Sequence, residues 1–263
     1  MNTDRWLIHR HLARQTDERL AIVSKTPQHI MLVGADADES RSLLAARYPK
    51  AVFSEYDARE DFLQAAAAGR KSGLLARLAG KSVAQHCQDW YAPLPEAQAD
   101  MLWANVSLIM AADPVPVFEN WARALKTDGL LFFTHWGIDT LQSVLALLRS
   151  EGIEAAAPRL LDMHDLGDML FHHGFYDPVM DTAKLALSYQ SAAAFWQDME
   201  TLGLWSALQF NDEAAARAVI ERLFAEGRMG DVVLETVYGH AVKKLQLPAG
   251  EQAVQFFPKK PSA

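Results

Sequence analysis

The sequence has almost no cysteine. Cys87 stands alone among 263 residues, so no internal disulfide can form and no thiolate cluster can hold a metal. A reducing, cytoplasmic setting is the expectation that follows. Long uncharged apolar runs are missing too, and nowhere does the chain approach the roughly 20 apolar residues in succession that span a bilayer. Residues 1–19 break their few apolar positions with charge every two or three places, which leaves no core for a signal peptide. Cations are short as well: 25 Lys and Arg face 33 Asp and Glu, for a net charge of −8. Nucleic acid and anionic membranes need clustered cations to neutralise phosphates, so neither is expected as a dominant partner. What is present is apolar, and a 50% hydrophobic, 22% charged composition suits a packed globule. At this length it can bury a sizeable core.

Residues 5–23 carry Leu7, Ile8, Leu12, Leu20, Ile22 and Val23 among many charges and predict one or two short surface helices. The continuous apolar run over 29–34, ending in Gly34, predicts a strand buried on both faces. Asp38 as N-cap and Glu39 at the positive end then predict a helix over 38–47, stopped by Pro49. The cycle repeats with a strand over 51–55 and a helix over 57–68. A glycine-broken basic segment over 70–81 leads to a strand over 82–87, a proline-bearing loop over 89–95 and a strand over 100–105. A helix over 114–125 with Val117, Phe118, Trp121 and Leu125 on one face follows, and Asp128-Gly129 turns into a strand over 130–134. Such alternation indicates crossover units and a mainly parallel sheet with helices on both faces.

Past Gly137 the pattern shifts to helices over 140–149, 163–173, 192–202 and 211–226. Two β-prone segments, 178–189 and 232–243, are expected as the last strands of the same sheet. The expected organisation is an N-terminal helical arm over 1–28 and an α/β domain over 29–246. The domain includes a helical cap around 140–175 and 191–228, and a loosely ordered tail over 247–263 follows.

Ligands of open parallel sheets bind beyond the carboxyl ends of the strands, which directs attention to 34–38, 55–57, 88–90, 105–107 and 135–137. The motifs there and beyond are Asp89-Trp90-Tyr91-Ala92-Pro93-Leu94-Pro95, Asp100-Met101-Leu102-Trp103-Ala104-Asn105, and the stretch from Leu125 to Thr134. Further on come Asp162-Met163-His164-Asp165-Leu166-Gly167-Asp168, Gly174-Phe175-Tyr176-Asp177-Pro178-Val179-Met180-Asp181 and Val237-Tyr238-Gly239-His240-Ala241. In order and spacing, from about residue 30 to 243, they resemble class I S-adenosylmethionine-dependent methyltransferases. Within that class they resemble the BioC-like malonyl-carrier-protein O-methyltransferases of biotin synthesis. The resemblance implies a Rossmann-like sheet of about seven strands with helices on both faces and a helical cap. It implies S-adenosylmethionine as cofactor and an acyl carrier protein as partner. It also implies that Gly34 and Asp36 line the cofactor loop, that Glu55 or the neighbouring Asp57 accepts from the ribose hydroxyls, and that Asp89 accepts from the adenine with Trp90 packed on the ring. Asn105 would line the methyl-transfer cleft.

The departure lies in the signature loop. The family pattern sets an acidic residue two before the first of three alternating glycines, because bare backbone lets the cofactor approach the helix N-terminus. Here Leu32 takes the acidic place, Gly34 is the first glycine, and Asp36 and Asp38 replace the other two. Asp38 is expected to cap its own helix. The segment before the first strand is also short beside the family's longer arms, which predicts a more open cleft.

Other candidates are weaker. His135 follows the fifth strand and is the one candidate base, without an identifiable partner. His164, Asp168 and His172 recur every four residues, a spacing that reads as an exposed polar face rather than a metal site. Arg70, Lys71, Arg77 and Lys81 form a basic patch that could dock an acidic carrier. The expected function is methylation of a carboxylate on a carrier-bound acyl group. The alternative is a catalytically degenerate relative that keeps the sheet and serves as a binding or assembly module.

Overall fold

The computed structural model describes residues 4–70 and 83–245. Lys71, Arg77 and Lys81 of the basic patch, and the tail over 247–263, lie outside the described residues. Strands β1 (His29–Val33), β2 (Val52–Asp57), β3 (Ala84–Cys87), β4 (Ala99–Ala104), β5 (Leu125–Trp136), β7 (Phe175–Leu187) and β9 (Val232–Lys243) form one sheet in the order β3-β2-β1-β4-β5-β9-β7. The first five pair in parallel, and β9 runs antiparallel to both β5 and β7. The seven-stranded α/β sheet expected from the sequence is therefore present, its last two strands included. A two-residue pair, β6 (Ala155–Ala156) with β8 (Gln209–Phe210), joins parts of the cap. Strand β7 starts before Pro178, and its register shifts between Tyr176 and Val179, where proline cannot donate to the ladder.

The helices are α1 (Leu7–Arg19), α2 (Glu39–Arg47), α3 (Glu60–Arg70), α4 (Pro114–Ala124), α5 (Gln142–Ser150), α6 (Met163–His172), α7 (Ala192–Thr201) and α8 (Glu213–Ala225). Four start where a short polar side chain accepts from the first turn: Asp113 from Val115 N, Asp162 from His164 N, Ser191 from Ala194 N and Asp212 from Ala215 N. Among the described residues no helix is long and apolar enough to cross a membrane.

Strand alternation sorts the core. Met31, Val33, Leu102, Leu131 and Phe133 face Phe118 and Trp121 of α4 and Leu166 and Leu170 of α6. Ile30, Leu32, Met101, Trp103 and Phe132 point the other way, onto Leu44 of α2 and Ala13 of α1. A third cluster is the cap: Val144 and Leu148 of α5, Phe195 and Met199 of α7 and Ile220 of α8 close on Trp136 and Leu234. Helix α6, expected within the cap, packs instead on the sheet face, because Leu166 and Leu170 are fully buried there. Nor is α1 a surface helix: Ile8 and Leu12 are buried in the cap cluster and Ala13 in the sheet core. Gly239 shows why the Val237–Ala241 motif needs its glycine. The Phe133 ring lies over it, and a Cβ there would fall 2.2 Å from a ring carbon.

Candidate functional site

The strand order reverses at β1, with β2 on one side and β4 on the other, so the crevice of an open sheet lies beyond Gly34. Gly34 has φ +98°, and a Cβ would sit 2.5 Å from the Ser107 Cβ. That close approach is fixed by Ser107 Oγ, which donates to the Val33 carbonyl. Val106 has φ +49°, unusual for a β-branched residue, and its N–H is taken up by Thr134 Oγ1.

The loop over 34–38 is filled by its own carboxylates. Asp36 is buried, accepting from Ser40 N and Ser40 Oγ at the start of α2 and from Asn105 Nδ2. Burial in the first place raises its pKa to about 6, against the lowering effect of the Ser40 and Asn105 hydrogen bonds. Asp36 thus does the capping expected of Asp38. Asp38 is in the left-handed region, φ +76°, and makes no side-chain cap bond. Its carboxylate takes Arg41 and Arg70 instead. Arg70 reaches on to Glu55, which also accepts from Gln85 Nε2. With a side chain only 17% exposed, Arg70 is a tie within the site rather than part of a docking patch.

Glu55 and Asp57 are separated by the strand itself. Glu55 pairs in register with Leu32 and Gln85, inside the sheet, whereas Asp57 ends β2 at the crevice. Of the two ribose candidates, the strand end brings Asp57 to the crevice and keeps Glu55 behind the loop. Asp57 is itself engaged: Oδ2 accepts from Ala35 N and Arg59 Nη2, and Oδ1 from Arg59 N and Nε, at 2.8–2.9 Å. The same Arg59 guanidinium lies 3.5 Å from the Phe62 ring centre and 5.4 Å from that of Trp90.

Asp57, Asp89 and Trp90 line one crevice of only about 10 Å³ with Val33, Tyr56 and Trp121. That is below the roughly 300–1,000 Å³ of most small-molecule sites. Asp89 is exposed and accepts from the Tyr91 amide. Asn105 is buried under the loop, where Nδ2 donates to Asp36 and to the His9 carbonyl, and Oδ1 accepts from Thr134. That bond to His9 brings α1 over the site. Trp6 and His9 pack edge-on against each other and against Phe62, and Arg10 pairs with Glu39 at the start of α2. The short N-terminal arm therefore closes the loop rather than leaving it open.

His135 is buried and donates Nε2–H to the Arg159 carbonyl, leaving Nδ1 without a hydrogen bond. Burial lowers its pKa to about 4, and no hydrogen bond joins it to Asp57, Asp89 or Asn105. His164 is largely exposed and bonds Asp162 on its own helix. Arg59, His9, Ser40 and Thr134 are site residues that the sequence reading missed. Their one local signal is the Asp57-x-Arg59 spacing, which returns a guanidinium to the preceding carboxylate.

A model of the methyltransferase domain family matches residues 33–133. The malonyl-[acyl-carrier protein] O-methyltransferase of Laribacter hongkongensis is 30% identical, the alignment covering 97% of this chain and 91% of that one. The enzyme of the same name from Methylovorus sp. is also 30% identical, over 98% and 90%. Among solved structures, phosphoethanolamine N-methyltransferase 2 of Haemonchus contortus, in complex with S-adenosyl-L-methionine, superposes with a TM-score of 0.56 at 13% identity. It covers 89% of this chain and 53% of that one, a likeness of fold.

Proposed function

The chain belongs to the malonyl-[acyl-carrier protein] O-methyltransferase family, and from that premise we propose that it transfers a methyl group from S-adenosylmethionine to the free carboxylate of a malonyl group held on an acyl carrier protein, in biotin synthesis. The observation that carries this is the alignment itself, which runs through both sheet and cap and spans 91% of an enzyme of that name. Nothing in that alignment favours the alternative, a binding or assembly module that kept the sheet and lost the cofactor.

By residue type the site suits the cofactor at one end and not at the other, although Asp57 at the suited end is already bonded to Ala35 and Arg59. Asp57, Asp89 and Trp90 share one crevice at the strand ends, and these would hold ribose and base. At the loop, Asp36 and Asp38 stand where bare backbone is expected and spend their acceptors on Ser40, Asn105, Arg41 and Arg70. When bound, the cofactor supplies an electrophilic methyl group on a sulfonium. A carboxylate acceptor is already a nucleophile at neutral pH, so this protein's task is alignment rather than proton removal. His135, with its pKa lowered to about 4 and Nε2 committed to Arg159, is not called upon as a base. Asn105 ties loop, α1 and β5 into one rigid floor beneath the transfer site.

The test is to incubate the protein with malonyl-acyl carrier protein and millimolar S-adenosylmethionine and to weigh the intact carrier by mass spectrometry. A mass gain of one methyl group, dependent on the malonyl group, is expected. An unmodified carrier would overturn the reading.

A further inference from the structure

Arg59 is paired with Asp57, one lining residue of the crevice, and lies near a second, Trp90. Its backbone N–H, Nε and Nη2, together with Ala35 N, supply four donors to Asp57, whose side chain is fully buried. A carboxylate offers about four acceptor sites, so none remains for a vicinal diol. The guanidinium plane at the same time packs toward Trp90, the ring available to stack on a base, and against Phe62. One side chain thus meets both groups that would recognise a nucleoside: the acceptor of its hydroxyls and the aromatic face for its base.

Two further features hold Arg59 in place. Phe62 is buried against Trp6, just before α1, and His9 of α1, so the face on which Arg59 rests is backed by the start of the N-terminal helix. Helix α3 begins at Glu60, one residue after Arg59. The fork is therefore anchored at a helix start and not on a long free loop.

We propose that Arg59 is an internal competitor of the adenosine moiety for Asp57 and Trp90, and so sets how tightly this chain holds its cofactor. The inference rests on the reading above only in taking an adenosine-bearing ligand as the crevice's guest. Cofactor entry then requires the guanidinium to leave Asp57, and affinity for the nucleoside falls by whatever that pair is worth.

The test is calorimetric titration of the full chain with S-adenosylhomocysteine, comparing the native protein with Arg59→Ala and Arg59→Lys. Arg59→Ala is expected to bind at least tenfold more tightly. Arg59→Lys, which keeps a cation but loses the fork and the stacking, should fall between. Removing the partner of a buried carboxylate threatens folding, so thermal denaturation with and without ligand is measured on all three proteins. Arg59→Ala should melt lower alone and gain more from S-adenosylhomocysteine than the native protein does. Equal or weaker binding by both variants, or no binding by any of the three, overturns the proposal. The failures are distinguishable: tighter binding without carrier methylation removes the proposed reaction and leaves Arg59 its role. Carrier methylation with unchanged binding does the reverse.

Discussion

At the scale of single residues, the site depends on atoms that are absent as much as on those present. Gly34 combines φ +98° with a neighbour that leaves no room for a Cβ. Gly34→Ala would strain the backbone and push Ser107 off the Val33 carbonyl it caps. The expected loss is about 2 kcal/mol or more of unfolding free energy, read as a lower urea midpoint with an unchanged slope. This glycine was legible in the sequence because a run of apolar residues ending in glycine has few other uses. The choice between Glu55 and Asp57 was not legible, since it turns on where β2 stops, and a boundary two residues later exchanges a buried carboxylate for one at the crevice. Asp36 and Asp38 were visible as departures, but their roles were exchanged. Asp38 is a good N-cap by residue type, yet its left-handed backbone aims the side chain at Arg41 and Arg70, and Asp36 reaches the helix amide instead.

At the scale of elements, α1 carries more of the structure than its charged sequence suggests. It reaches the cap through Ile8 and Leu12, the sheet through Ala13, and the loop through the His9 carbonyl and Arg10. Arg5 adds a bond to Thr201 at the end of α7. A helix that bridges two cores is stabilised by burial on both. Leu12→Ala, at a position with no exposed area, is expected to cost about 2–5 kcal/mol. Leu7→Ala, at a position 59% exposed, should change stability by less than about 0.5 kcal/mol. Urea denaturation of the two variants measures both, and equal losses would mean that α1 does not bridge. The sequence pointed to a surface helix because charge surrounds every apolar position. Long arginine side chains can cover a buried stripe while their heads find acids on other elements. Those partners, Glu39 for Arg10 and Asp181 for Arg19, are far apart in sequence and appear only once the fold exists. The placement of α6 failed for a related reason, because an apolar face at Leu166 and Leu170 says that a helix is buried but not against which core.

At the scale of the whole molecule, the interior holds ionisable groups that make folding respond to pH. Burial lowers the pKa of His9 to about 3 and that of His135 to about 4, from 6.5 for a solvated imidazole. Among the described residues neither ring Nδ1 has a hydrogen-bond partner. Below pH 6.5 the unfolded chain protonates both while the folded chain does not. The stability they allow is complete above about 6.5 and is lost as pH falls toward 4 for His135 and toward 3 for His9. Asp36 acts in the opposite sense: raised to about 6 from 3.8, it takes its proton in the folded state first, which favours folding as pH falls through that window. Two sites against one leave a net loss on acidification, about 1.4 kcal/mol per pH unit for each net proton taken up on unfolding. Urea midpoints at pH 7.5, 6.0 and 5.0 should therefore fall in that order. His9→Phe keeps an aromatic ring against Trp6 and Phe62 and removes one titrating group, so its midpoint should fall less steeply over the same range. A native midpoint that stays level or rises toward pH 5 would show that the buried imidazoles reach water before the molecule unfolds.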